Sequence, residues 1–241
     1  MQKAQYEKLI ASLGENTTLV AVSKLQPVER IIELYKMGHR DFGENYVQEL
    51  IEKKLLIPYD IRWHFIGHLQ SNKVKYIAPF VHLIQSVDSF KLLMEIDRQA
   101  KKAGRVINCL LQVYVASEET KYGLHNDELD ELVDGFLKAN EMNEMMNVKV
   151  CGLMGMASLT ENQAQLRVEF ELISTLYDKY ASIKTPNFNF QYLSMGMSSD
   201  YKLAIEEGSN MVRIGSMLFG ARSNKVSDDQ LPGPDFPVSQ N

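Results

Sequence analysis

The stretch Leu19-Val20-Ala21-Val22-Ser23-Lys24-Leu25-Gln26-Pro27 reads as an apolar strand, a short polar turn and the start of a helix. Residues 19–23 form a β-prone run, and Pro27 suits the first turn of a helix, where a missing N–H leaves no bond unmade. A near-continuous apolar strand that leads straight into a helix belongs to a parallel sheet buried on both faces. Lys24 stands at the C-terminal tip of that strand. α/β folds carry out their chemistry at this end. A lysine there is a candidate for a Schiff base with an aldehyde, pyridoxal phosphate above all.

The same unit recurs outward along the chain every 25 to 30 residues or so. Further strands are expected at 40–42, 62–66, 82–87, 106–115, 148–154, 188–193 and 211–214. Helices are expected at 2–13, ahead of the first strand, and at 27–37, from Gly43 to about 54, after the Asp88-Ser89 cap, from about 126 to 139, at 161–180 and at 199–207. Eight strands, each followed by a helix or helical turn, predict an α/β fold. It is a single (β/α)8 TIM-type barrel with an extra N-terminal helix. An open doubly wound sheet ranks lower, because no glycine-rich dinucleotide fingerprint follows the first strand. Residues 1–222 form the barrel domain in this reading. Residues 223–241, with three prolines among Ser, Asp and Gln, read as a flexible tail.

The 241 residues are enough for one large core, and the formal net charge of −5 argues against nucleic acid as the main partner. Lys53-Lys54, Lys73-Val74-Lys75 and Lys101-Lys102 read as solvated helix faces. No apolar run has membrane-spanning length, and the N-terminus has no signal-peptide core, so the expected compartment is the cytoplasm. Cys109 and Cys151 fall inside predicted strands and are expected to be buried thiols. The histidines and cysteines have no metal-ligand spacing, so no metal is expected.

Residues that follow the predicted strands should share one mouth of the barrel. They are Lys24; Glu44 and Asn45; His68, Gln70 and Asn72; the loop 117–121; Ser158; Ser194 and Ser198; and Arg213, Gly215 and Ser216. The last two loops form the usual phosphate site of such barrels. Gly196 and Gly215 allow backbone to approach a ligand, Ser198 is expected at a helix N-terminus that favours an anion, and Ser216 adds a hydroxyl. Turn glycines and a capping serine would read the same way. Lys24 opposite favours phosphate. His64, inside the third strand, reads as a core residue. Met154, Met156, Met195 and Met197, near strand ends, read as packing.

Several motifs carry a resemblance. Ala21-Val22-Ser23-Lys24, Phe42-Gly43-Glu44-Asn45-Tyr46-Val47-Gln48-Glu49, Trp63-His64-Phe65-Ile66-Gly67-His68-Leu69-Gln70-Ser71-Asn72-Lys73, Gly152-Leu153-Met154-Gly155-Met156, Leu193-Ser194-Met195-Gly196-Met197-Ser198 and Met211-Val212-Arg213-Ile214-Gly215-Ser216 occur in that order, and Phe219-Gly220-Ala221-Arg222 completes the set. The chain resembles the pyridoxal phosphate homeostasis protein family over nearly its whole length. The resemblance implies an alanine racemase N-terminal-domain-like barrel that binds pyridoxal 5′-phosphate, with Lys24 as the Schiff-base lysine (an internal aldimine). It implies that Ser198, Gly215 and Ser216 hold the phosphate, that Arg213 stands beside the pyridine nitrogen, and that Asn45 lines the pocket. After the fifth strand the family runs Ser-x-Glu-x-x-Lys-x-Gly. Here Ser117-Glu118-Glu119-Thr120-Lys121-Tyr122-Gly123 keeps the lysine, Lys121, with its neighbours shifted.

Two features favour a carrier over an enzyme. Arginine is a donor only, so a ring nitrogen beside Arg213 stays unprotonated and makes a weak electron sink, which disfavours decarboxylation and transamination; racemisation survives that loss but needs a second base. In the racemases resembled here, the second base comes from a C-terminal β-domain of a partner subunit, and only 19 residues follow Arg222. The expected function is therefore intracellular cofactor homeostasis, by buffering or delivery to pyridoxal phosphate-dependent apo-enzymes, by a monomer without catalytic residues. The alternative is an amino-acid racemase or lyase of weak activity.

Overall fold

The structure, a computed structural model, describes residues 3–57, 60–116 and 122–220. Its strands are β1 (Thr18–Val22), β2 (Asp41–Glu44), β3 (Arg62–Phe65), β4 (Leu83–Val87), β5 (Ile107–Val113), β6 (Val148–Gly155), β7 (Phe188–Ser194) and β8 (Met211–Ile214). All pair in parallel and in chain order, and β8 returns to β1, so the sheet closes into a barrel. The open-sheet alternative is thereby excluded. The helices are α1 (Lys3–Leu13), α2 (Val28–Lys36), α3 (Val47–Leu56), α4 (Val74–Ile77), α5 (Phe90–Lys102), α6 (Asn126–Glu141), α7 (Gln163–Ala181), α8 (Tyr201–Glu206) and α9 (Ser216–Phe219). None of the described helices is long and apolar enough to cross a membrane.

Strand alternation sorts the side chains into two layers. Leu19 and Ala21, Trp63 and Phe65, and Val212 and Ile214 face the helices and join the large core. Val20, Leu83, Leu110, Cys151, Met154 and Met211 form a smaller, separate cluster. The expected helix α1 is present, with Tyr6, Leu9 and Leu13 buried and the Tyr6 hydroxyl 3.1 Å from His39 Nδ1. Ser89 caps α5 as expected, its hydroxyl accepting the Leu92 N–H at 3.3 Å.

Two boundaries move for tertiary reasons. The second strand runs on to Glu44, because Gly43 and Glu44 pair with His64 and Phe65, and the helix expected to open at Gly43 begins at Val47. Asp200 Oδ1 accepts the Met197 N–H at 2.5 Å, and the tight turn this makes delays α8 to Tyr201. Ser198 thus lies in the turn ahead of that helix, not at its N-terminus. Lys121, Arg222 and the expected tail lie outside the described residues.

Candidate functional site at the C-terminal mouth

A cavity of about 640 Å³ opens at the C-terminal mouth of the barrel. Lys24, two residues beyond β1, lines it with Asn45, one beyond β2, and Ile66, one beyond β3. Met156 follows β6, Met197 and Ser198 follow β7, and Arg213, Gly215 and Ser216 come from the end of β8. All six residues singled out as the binding set (Lys24, Asn45, Ser198, Arg213, Gly215 and Ser216) therefore meet in one space. Among the described residues no carboxylate lines it.

The loops after β7 and β8 close one side. Gly196 has φ +93°, and a Cβ there would stand 2.6 Å from Ala204 Cβ, so only glycine lets this turn pack against α8. The Arg213 amide donates to the Gly196 carbonyl at 3.0 Å, which ties the two loops together. The Gly215 N–H points to Ser198 Oγ at 3.4 Å, and Gly215 with Ser216 opens the short helix α9. A Cβ on Gly215 would press on the Val22 carbonyl oxygen at 3.2 Å.

Arg213 is only 4% exposed. Its Nη1 donates to the Ser194 carbonyl at 2.8 Å and to Ser194 Oγ at 2.7 Å, and Nη2 donates to the Gly155 carbonyl at 2.8 Å. Burial pushes its pKa down to about 10, against the pull of Asp200, and the group stays cationic at neutral pH. These bonds use three of its five N–H groups, which leaves two for a ligand.

The backbone on either side of Lys24 is held from behind. Ser23 Oγ donates to Glu44 Oε1 at 2.6 Å, and the Leu25 amide donates to Glu49 Oε1 at 2.6 Å. Lys53 Nζ bonds both carboxylates, at 2.8 and 2.6 Å, and the Ser23 carbonyl at 2.7 Å. All three ammonium protons are thereby used. Leu25 has φ +59°, in the left-handed region that non-glycine residues avoid. Lys53 is 5% exposed, which corrects the reading of Lys53-Lys54 as a solvated face. Glu44 likewise turns away from the mouth into this cluster.

The comparisons with known proteins agree with the geometry. The family of the alanine racemase N-terminal domain matches residues 3–223. A pyridoxal phosphate homeostasis protein of Aquifex aeolicus is 43% identical over 214 residues, which is 88% of this chain and 90% of that one. The chain belongs to the pyridoxal phosphate homeostasis protein family. PipY of Synechococcus elongatus, a structure with pyridoxal phosphate bound, is 34% identical and superposes with a TM-score of 0.79, covering 90% of this chain and 99% of that one. Alanine racemase of Streptomyces lavendulae, at 16% identity and a TM-score of 0.71, matches 90% of this chain and 56% of its own, and shares the fold.

In this member of the homeostasis protein family, several mouth residues serve elsewhere. His68 stacks on Tyr122 with ring centroids 4.0 Å apart and lies 3.2 Å from Asp88 Oδ2. Gln70 and Asn72 are exposed at the turn before α4. Ser158 is pinned to Glu169 of α7. His64 is a buried core residue, as expected, bonded to Asp41 and Gln85. Met154 and Met195 are packed, but Met156 and Met197 line the cavity. Their places just after β6 and β7 were the signal that could have found them. For Lys53 the signal was a carboxylate one helical turn earlier, Glu49.

Proposed function

We propose that the cavity holds pyridoxal 5′-phosphate, and that the protein buffers or delivers this cofactor without strong turnover. The observation that carries the reading is the meeting of the Lys24 amine, the Arg213 guanidinium and the Ser198–Gly215–Ser216 cradle in one cavity that no carboxylate lines among the described residues. Hydroxyl and backbone N–H donors suit a phosphate dianion, and the basic Lys24 and Arg213 favour an anionic ligand in the same cavity. Asn45 Oδ1 is buried with no partner, an acceptor that a ligand hydroxyl would satisfy. When bound, the cofactor supplies an aldehyde that condenses reversibly with a lysine amine, with loss of water.

In this reading Lys24 is the point of attachment, Ser198, Gly215 and Ser216 bind the phosphate, and Asn45 and Arg213 orient the ring. Arg213 is a donor that cannot keep a ring nitrogen protonated as a carboxylate would, which supports holding over decarboxylation or transamination. The name of the curated relatives and the pyridoxal phosphate in PipY support the same choice. The reading extends to a cytoplasmic monomer that passes cofactor to apo-enzymes, with residues 1–222 as the barrel and 223–241 as a tail.

The test is incubation with pyridoxal phosphate, borohydride reduction and mass mapping of the label. The expected label is on Lys24 and is lost in Lys24→Ala. A label elsewhere, or none, overturns the attachment. Conversion of L-amino acids to D-enantiomers, amines or keto acids well above the rate with free cofactor would overturn the carrier role.

A further inference from the structure

A continuous file of hydrogen bonds crosses the inside of the barrel, starting at the cavity wall. Arg213 Nη1 donates to Ser194 Oγ at 2.7 Å, and Ser194 Oγ donates to Gln85 Oε1 at 2.7 Å. Gln85 Nε2 lies 3.0 Å from His64 Nδ1, and His64 Nε2 lies 3.0 Å from Asp41 Oδ1. The five residues come from β8, β7, β4, β3 and β2, and none is more than 8% exposed. Asp41 is the first residue of β2, so the file ends toward the mouth opposite the cavity.

Met211 fixes the polarity of the file. Gln85 Nε2 is also 3.3 Å from Met211 Sδ, and a thioether can only accept. The amide nitrogen must therefore face Met211 and His64. His64 Nδ1 is then the bare, accepting nitrogen, and the ring proton sits on Nε2 against Asp41. Every donor in the file points toward Asp41. Bonds aligned in this way polarise one another. Burial opposes ionisation of Asp41, but the hydrogen bonds from His64 and Arg62 hold its carboxyl well below the usual range, so the file ends on a fixed negative charge. The neighbouring inner positions are filled by apolar side chains such as Val20, Leu83 and Leu110, so filling space does not require polar groups here.

We propose that Ser194, Gln85 and His64 are positioning residues for Arg213, which hold its guanidinium at the cavity wall and couple it to Asp41 across the barrel. The proposal deepens the cofactor reading and rests on it: the group so held is the one that would meet the bound ring.

The test uses the full chain, 15N-labelled, with Gln85→Met as an apolar variant of similar length. In the ligand-free protein, His64 is expected to carry its proton on Nε2, and the Arg213 guanidinium protons to exchange slowly. Gln85→Met should speed that exchange at least tenfold while melting stays cooperative. With pyridoxal phosphate it should weaken retention about tenfold and shift the absorbance band of the bound cofactor. Ser194→Ala, which keeps the Ser194 carbonyl, should act in the same direction and serves if Gln85→Met does not fold. A His64 proton on Nδ1, or unchanged Arg213 exchange in the folded variants, overturns the proposal. These two readouts need no cofactor. Failure to label Lys24 in the unaltered protein would instead overturn the cofactor reading, and the ligand-free exchange would still judge the file.

Discussion

Lys53 Nζ donates to the main-chain carbonyl of Ser23 at 2.7 Å, so a lysine of α3 grips the residue just before Lys24. Glu49, one turn earlier on the same helix, accepts the amide of Leu25, the residue just after it. Lys24 thus stands on a short bridge fixed at both ends. Leu25, one of the two ends, is left-handed at a cost of order 1 kcal/mol and persists because its amide is held. Orientation of the lysine is prepared in the fold itself.

Removing the grip should be expensive. Lys53→Met leaves the buried Glu44 and the half-buried Glu49 with no cation between them, and loss of one partner of a buried ion pair typically costs about 3–5 kcal/mol. Urea unfolding of the ligand-free variant measures this. A loss below about 1 kcal/mol would mean that the cluster makes no net contribution.

The same cluster predicts a pH dependence. Burial raises the Glu44 pKa from 4.5 to about 7, with Lys53 opposing and Glu49 adding to the rise. The folded state therefore holds a proton that the unfolded state has lost between these values. The contribution of this group to stability is full below the lower value and declines as pH rises through the upper one. His82 acts in the opposite sense. Burial lowers its pKa from 6.5 to about 4, so its contribution is present above the first value and declines as pH falls through the second. Glu44→Gln removes only the first effect. Relative to the unaltered protein, it should gain roughly 1–3 kcal/mol between about pH 5 and about pH 8. A difference that does not vary with pH would mean that Glu44 is ionised throughout.

Asn45 separates stability from binding. Its Oδ1 is buried without a partner, a state that costs about 1–3 kcal/mol. Asn45→Leu should leave the melting temperature of the ligand-free protein unchanged or higher, while equilibrium dialysis shows retention of pyridoxal phosphate falling about tenfold. Unchanged retention would remove Asn45 from the contact set.

Gly152 tests the barrel itself. It has φ +147° in β6, where the register with β7 shifts, and a Cβ there would lie 1.9 Å from the Tyr192 carbonyl oxygen. Gly152→Ala should cost about 3 kcal/mol or more, or prevent folding. A melting temperature within a few degrees of the original would contradict this backbone geometry.

Much of this was legible in the chain. The apolar runs of the parallel strands stand out from the polar helices, and all eight strand centres follow from them. That the six residues proposed for binding would share one cavity was readable because each lies in or just beyond a strand end, which the barrel brings to one mouth. Boundaries that depend on distant partners were not readable. Nothing near Gly43 and Glu44 announces that they continue a ladder with His64 and Phe65. Lys53 looks solvated because it sits beside Lys54; only Glu49, one turn earlier, hints otherwise, and the other two partners of Lys53 are 30 and 9 residues away. The file from Arg213 to Asp41 left one trace, the polar residues His64, Gln85 and Ser194, each next to an apolar residue in its strand. Which of them would touch is a matter of barrel closure.

That closure is uneven. β7 and β8 share a single register pair, Ser194 with Met211. Main-chain bonds from Met195 to Met211, Asn210 to Leu193 and Arg213 to Gly196 extend the seam, and side chains reinforce it: Ser209 Oγ reaches the carbonyls of Leu193, Met195 and Met211, and Arg213 spans to Ser194 and Gly155. The loops that would cradle a phosphate hang from these two strands. An anion bridging them binds only the closed ring, so binding and closure reinforce each other as linked equilibria. Any motion that parts β7 from β8 would also dismantle the cradle, so that a cofactor attached to Lys24 would lose its phosphate anchor and would leave once water had hydrolysed the imine back to aldehyde and amine.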